Sequence, residues 1–190
     1  MKIVFVDCEF TSSHIRTTLI SVGLVTLEGK ELYIVFNDYD RDQLTSWVKD
    51  NVLVHIDKRK AISTSEALAI LNEFFTEYSQ GKPISLISAG KSLDLLLIFQ
   101  LWHILYPELK YFSYERYLPE FLNHRKHFDL DTIFYMSGYD PDNIDREGFV
   151  GDNVSFKKHD ALYDAHIVRK CFFRLLRERK LSYFPIEVSL

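Results

Sequence analysis

The most constraining feature of this chain is its opening. Ile3, Val4, Phe5 and Val6 form a short apolar run that leads directly into Asp7-Cys8-Glu9-Phe10. Such a run reads as a strand buried on both faces. Side chains two apart on a strand leave from the same face. If the strand continues past Val6, the carboxylates of Asp7 and Glu9 therefore project together from a buried element, and Cys8 turns into the core. Burying one carboxylate is costly, and two side by side cost more. A divalent cation, which prefers hard oxygen ligands, removes the conflict. The other possibility is a strand that stops at Val6, leaving both acids in a solvated loop.

The rest of the chain supplies the partners of that strand. Thr18 to Leu27 and Glu31 to Phe36 read as two more strands, and Glu28-Gly29-Lys30 joins them as a tight antiparallel turn. Leu44 to Val52 fits a short helix. Thr64 to Tyr78 is a longer one, with Ala67, Leu68, Leu71, Phe74 and Phe75 on one face. Ser63 or Thr64 caps its start, and Gly81 with Pro83 ends it. Ile84 to Ser88 is a fourth strand. Ser92 caps a helix from Leu93 to Leu105 that Pro107 stops. Tyr111 to His127 reads as loop with at most one short helix, Asp131 to Tyr135 fits either strand or helix, and Ser137 to Ser155 reads as one long loop. Asp160 to Arg179 is the last helix, with Ala161, Ala165, Val168, Phe172, Leu175 and Leu176 facing inward. No repeat, low-complexity tract or linker divides residues 1–190, so a single domain of the α/β or α+β class is expected.

Composition bounds the function. The formal net charge is −4, which argues against coating long duplexes by charge alone. It leaves room for an enzyme that grips a few nucleotides at a chain end, where bound metal ions add positive charge. Cys8 and Cys171 are too far apart in sequence for a zinc site or disulfide framework and read as free thiols of a reducing, cytoplasmic compartment. Lys2 is followed by only four apolar residues before Asp7, which is no signal peptide. Asp94 and Gln100 break the longest apolar run well short of the ~20 residues of a membrane span.

Two further elements carry chemistry. Asp94 lies in the first turn of its helix, just after the fourth strand, where the helix dipole also favours an acid. The third is His159-Asp160-Ala161-Leu162-Tyr163-Asp164-Ala165. His159 and Asp164, five apart, would be separated by about 140° on one helix. They meet at one site only if His159 sits in the loop before the helix, and Asp160 as N-cap supports that placement. Asp129, Asp131, Asp140, Asp142, Asp145 and Asp152 lack the ligand spacing of a calcium loop and read as solvated loop acids.

Asp-x-Glu on the first strand, a mid-chain Asp and a C-terminal His-x-Ala-x-x-Asp, in this order, resemble the DEDDh 3′–5′ exonucleases of the RNase H-like superfamily. Asp7-Cys8-Glu9-Phe10, Leu19-Ile20-Ser21-Val22-Gly23, Ser46-Trp47-Val48 and Gln100-Leu101-Trp102 are similar to a small exoribonuclease branch first described from mycobacteria. The match covers nearly the whole chain and fades from Tyr111 to Lys157. The resemblance implies an RNase H-like mixed five-stranded sheet, an antiparallel first hairpin followed by parallel strands, flanked by helices. It implies two divalent ions, Mg²⁺ or Mn²⁺, held by Asp7, Glu9, Asp94 and Asp164, with His159 as general base. Phe10 and Thr11 would line the terminal nucleotide.

The implied substrate is the 3′ end of single-stranded RNA, or of DNA in a second version of the same chemistry. The implied product is a nucleoside monophosphate, and the branch's dimers imply a homodimer. Residues 157–180 hold eight Lys or Arg against three acids. Lys157 and Lys158 are placed to contact phosphate, and the others read as the solvated face of the last helix. Tyr111, Phe112, Tyr114 and Tyr117 are candidates for base stacking, with core packing as their default role. A nuclease-fold binding module without catalysis, or a phosphohydrolase of small nucleotides, are the readings from other classes.

Overall fold

The opening strand does continue past Val6. In the computed structural model, which describes residues 1–14, 16–57, 60–89, 93–103, 118–152, 158–178, 180–181 and 184, β1 runs Lys2–Phe10. Asp7 pairs with Gly23 and Glu9 with Ser21 on β2 (Leu19–Thr26). Both acids are therefore strand residues, and the loop possibility is excluded. β3 (Glu31–Val35) completes the expected hairpin on β2. β4 (Ile84–Ser88) lies parallel to β1 on its other side, and β5 (Phe128–Asp129) lies parallel to β4. The order β3-β2-β1-β4-β5 puts β1 at the centre of a mixed five-stranded sheet.

Alternation along β1 divides the core. Val4, Val6 and Cys8 face one side, packed with Leu71, Phe75, Ile98 and Trp102. Those come from α2 (Thr64–Ser79) and α3 (Leu93–His103). Ile3 and Phe5 face the other side, against Phe134, Val168 and Phe172. These belong to α4 (Leu130–Met136) and α6 (Ala161–Arg177). Asp7 and Glu9 continue the Ile3–Phe5 face by strand period, so they emerge where the α6-side core ends.

Local signals set the helix ends. Ser63 and Glu66 form a capping box on α2, and Gln80 (φ 48°) with Gly81 (φ 76°) turns the chain out of it. A small third cluster of Ile20, Val48 and Val52 seats α1 (Ser46–Asn51) against the end of β2.

One open expectation is settled and another changes. Asp131 to Tyr135 is helix, because Asp129 accepts from the amide of Thr132 and caps α4 directly at the end of β5. The stretch from Ser137 to Ser155 contains α5 (Arg146–Val150), capped by Asp145 and ended by Gly151 at φ 72°. Phe149 stands edge-on to Phe134 and Tyr139, so this segment is tied to the core. Asp145, Asp140, Asp129 and Asp152 cap, turn or pair, and Asp140 and Asp145 are exposed, as expected of solvated acids. Three basic residues of α6 also have partners, while Lys170 and Arg177 are exposed, as expected of the helix's solvated face. Arg169 donates twice to the Leu27 carbonyl, Lys170 pairs with Asp152, and Arg174 holds Glu178 at 2.8 Å. The end of the α3 helix near Pro107, the Ser92 cap, Lys157 and the aromatic group at 111–117 lie outside the described residues. Among the described residues, no helix is long and apolar enough to cross a membrane.

Candidate active site

Convergence at the site depends on one close contact. A Cβ built on Gly23 would lie 2.2 Å from the carbonyl oxygen of Ala161, so only glycine lets the start of α6 rest directly on β2. Gly23 is also the partner of Asp7 in the sheet. The first turn of α6 is thereby set over the carboxylate end of β1, carrying Asp164 with it. Asp160 caps that turn, accepting from the amides of Leu162 and Tyr163. His159 precedes the cap in the left-handed region (φ 68°) and donates its backbone N–H to Asp164 Oδ2 at 2.9 Å. The histidine is therefore outside the helix, as the 140° argument requires. Asp94 comes from the opposite layer, in the first turn of α3, and is 2% exposed.

Asp7, Glu9, Asp94, His159 and Asp164 line one cleft of about 690 Å³. His159 Nδ1 lies 3.9 Å from Glu9 Oε1, and Glu9, His159 and Asp164 each offer a ligand atom within 4.8 Å of the others. The Trp47 ring meets the His159 ring edge-on at 4.8 Å. All four carboxyls are pushed toward the protonated form, chiefly by burial and then by neighbouring acids, which for Asp164 are Glu147 and Asp160 and for Asp94 are Asp129 and Asp164. Glu9 is raised to about 9 by burial, then by Asp164 and Asp94. His159 is lowered, first by burial and then by Lys158, which keeps its ring neutral near pH 7.

The secondary expectations divide. Phe10 and Lys158 line the cleft, and Lys158 lies 3.4 Å from Glu147. Thr11 does not line it. Its side chain is fully buried, and its hydroxyl is spent on Gln43 (2.7 Å) and Thr17 (3.0 Å). Alternation alone would put Thr11 on the face of Asp7 and Glu9, but the strand's register is irregular after Glu9, and that break turns Thr11 inward. Sequence reasoning missed Arg146 and Glu147, which α5 carries into the cleft. It also missed Asp129, whose charge reaches Asp94 and whose Oδ1 is buried without a hydrogen-bond partner among the described residues. None of these has a spacing signal, since each depends on how a loop folds back. The exposed Trp47 was visible only as one residue of the family-like tripeptide.

No family model matches the chain. A 3′-5′ exoribonuclease of Mycobacterium tuberculosis, from strains CDC 1551 / Oshkosh and H37Rv, is 39% identical over 49 residues. That stretch is 26% of this chain and 29% of the relative, so under a third of the curated relative's length is matched. Solved structures cover far more. A 3′-exonuclease described in 3′-end specific recognition of a histone mRNA stem-loop superposes with TM-score 0.69 at 15% identity, over 93% of this chain and 64% of that one. A full-length 3′-exonuclease gives 0.68 at 15% identity, over 94% and 82%. Cell-death related nuclease 4 gives 0.61 at 16% identity, over 93% and 64%. The fold is that of known 3′-exonucleases. The mixed sheet expected from the sequence is thus the observed one.

A divalent cation fits the donors present. Asp94 Oδ2 is buried with no hydrogen-bond partner among the described residues, an arrangement that is costly unless a cation or proton satisfies it. The cleft offers carboxylate oxygens, the ligand type Mg²⁺ and Mn²⁺ prefer.

Proposed function

We propose that this chain is a metal-dependent 3′–5′ exonuclease of the DEDDh type, hydrolysing single-stranded RNA from its 3′ end. One observation carries the reading: two strand carboxylates, two helix carboxylates and a loop histidine, far apart in sequence, share one cleft in a fold common to 3′-exonucleases. The preference for RNA is supported by the short stretch shared with the mycobacterial exoribonuclease.

Asp7, Glu9, Asp94 and Asp164 would hold two Mg²⁺ or Mn²⁺ ions. When bound, such ions polarise the phosphodiester and make a water acidic enough to attack at neutral pH. His159 is the general base. Its neutral ring accepts a proton from the attacking water, while the backbone bond to Asp164 and the edge of Trp47 fix where the ring points. The water oxygen bonds to phosphorus, the P–O3′ bond breaks, and the 3′-oxygen of the shortened strand takes a proton from solvent. The terminal nucleotide leaves as its 5′-monophosphate. Phe10 borders the cleft where the terminal nucleotide would sit.

The test is direct. RNA and DNA single strands, labelled at either end, are incubated with Mg²⁺ or Mn²⁺. Stepwise shortening from the 3′ end, lost in Asp7→Ala and His159→Ala, is expected. Internal cuts, or full activity in Asp7→Ala, would sink the reading, and faster loss of DNA than RNA would reassign the substrate.

A further inference from the structure

Arg146 is the residue of the cleft that the carboxylate chemistry leaves without a task. Its Nη1 donates to the carbonyl of Ala89, at the end of β4, at 2.9 Å. Among the described residues that is its only side-chain hydrogen bond, and no carboxylate oxygen comes within ion-pair distance. Arg146 nevertheless lines the same cleft as Asp7, Asp94 and Asp164, and its charge opposes the upward shift of all three. A guanidinium has five N–H donors in a rigid fork, and among the described residues most of that fork has no partner.

The segment that presents it is built rather than loose. The α5 cap is Asp145 onto Gly148, Cys171 donates to the Arg146 carbonyl at 3.6 Å, and Arg174 lies 4.1 Å over the Phe149 ring. A cation held this close to a site that binds divalent cations would be repelled by them, unless an anion lies between. A fork of N–H donors matches phosphate in particular, because two parallel bonds reach two oxygens at once.

We propose that the Arg146 guanidinium is a phosphate-binding group of the cleft, taking the non-bridging oxygens of the phosphodiester that is cut and of the monophosphate released. Its part in the reaction rests on the exonuclease reading; its affinity for a phosphate ester does not.

The experiment therefore has two arms, on wild type, Arg146→Ala and Arg146→Lys in Mg²⁺. Calorimetric titration compares 5′-AMP with adenosine, and RNA shortening gives kcat/KM. Wild type should favour 5′-AMP. Arg146→Ala should lose roughly 10- to 100-fold of that preference, the usual worth of a charge-assisted hydrogen bond. It should also lose roughly 10²-fold in kcat/KM, with an unchanged thermal midpoint. Arg146→Lys should regain only part, since a point charge does not reproduce the fork. Added guanidinium ion at millimolar concentration should restore part of the Arg146→Ala rate and none of the Asp7→Ala rate.

The assignment is overturned if wild type binds adenosine as tightly as 5′-AMP, or if Arg146→Ala keeps the wild-type preference. A rate loss that tracks a lower thermal midpoint and ignores guanidinium also overturns it, making Arg146 only a tether for the end of β4. If wild type shortens no RNA, the exonuclease reading fails, and the 5′-AMP arm alone still decides Arg146.

Discussion

Gly23 and Ala161 touch so closely that no side chain fits between them, the nearest approach of a built Cβ being 2.2 Å to the Ala161 carbonyl oxygen. This contact presses the start of α6 onto β2 opposite Asp7, and it is what brings Asp164 and His159 to the carboxylates of β1. The obstacle is helix backbone rather than a movable side-chain tip. Gly23→Ala should therefore push α6 outward, destabilising the protein by about 1–3 kcal/mol. RNA shortening should fall further than the stability loss explains. Urea unfolding and the end-labelled assay, run on the same sample, separate the two effects. Wild-type activity in Gly23→Ala would show that the helix position is not decisive.

The buried carboxylates set a pH dependence on the metal-free fold. Glu9 is raised to about 9, against about 4.3 in an unfolded chain. Between those values the folded state binds more protons than the unfolded state, so stability falls as pH rises. In EDTA, the urea midpoint should drop from pH 5 to pH 9, and Glu9→Gln should show a shallower drop. With Mg²⁺ present the order should reverse at high pH, because ionised carboxylates bind the ion and binding stabilises the fold. Equal slopes for wild type and Glu9→Gln would contradict this.

Asp94 provides a sharper version of the same conflict, with Oδ2 buried and no hydrogen-bond partner among the described residues. Asp94→Asn keeps the shape and removes the charge. It should stabilise the metal-free protein by on the order of 1–3 kcal/mol. The same change should abolish measurable shortening of RNA and weaken the Mg²⁺-induced rise in thermal midpoint. A variant that is both less stable without metal and fully active would refute the metal role of Asp94.

Ser63 serves as a control far from the chemistry. It accepts from the Glu66 amide while its own amide donates to the Glu66 carboxylate at 2.8 Å. Ser63→Ala should cost about 0.5–2 kcal/mol and leave kcat/KM for RNA unchanged, since α2 lines no part of the cleft. A matching loss of activity would mean that overall stability, rather than the site, governs turnover.

Legibility in the sequence followed the range of the forces involved. Asp7 and Glu9 could be read because strand alternation is a two-residue property, and the structure extends β1 through both. His159 could be placed outside the helix because capping by Asp160 is equally local. Thr11 was misjudged as a cleft residue because the register irregularity after Glu9 turns its hydroxyl toward Gln43, a partner 32 positions away. The expectation of a structureless stretch before His159 failed because Phe149 finds Phe134 and Tyr139, a packing that no turn residue announces.

The sequence by itself thus determined the first four strands, the caps of α2 and α6 and the two-residue spacing of Asp7 and Glu9, since backbone periodicity and capping act over a few residues. Only the tertiary structure decided which distant groups meet those carboxylates. Asp164 arrives through the Gly23 contact, Asp94 comes from the opposite layer, and Arg146, Glu147 and Asp129 are brought by segments that fold back. Those meetings depend on how helices settle on a sheet, through non-directional apolar burial and a single glycine-sized gap.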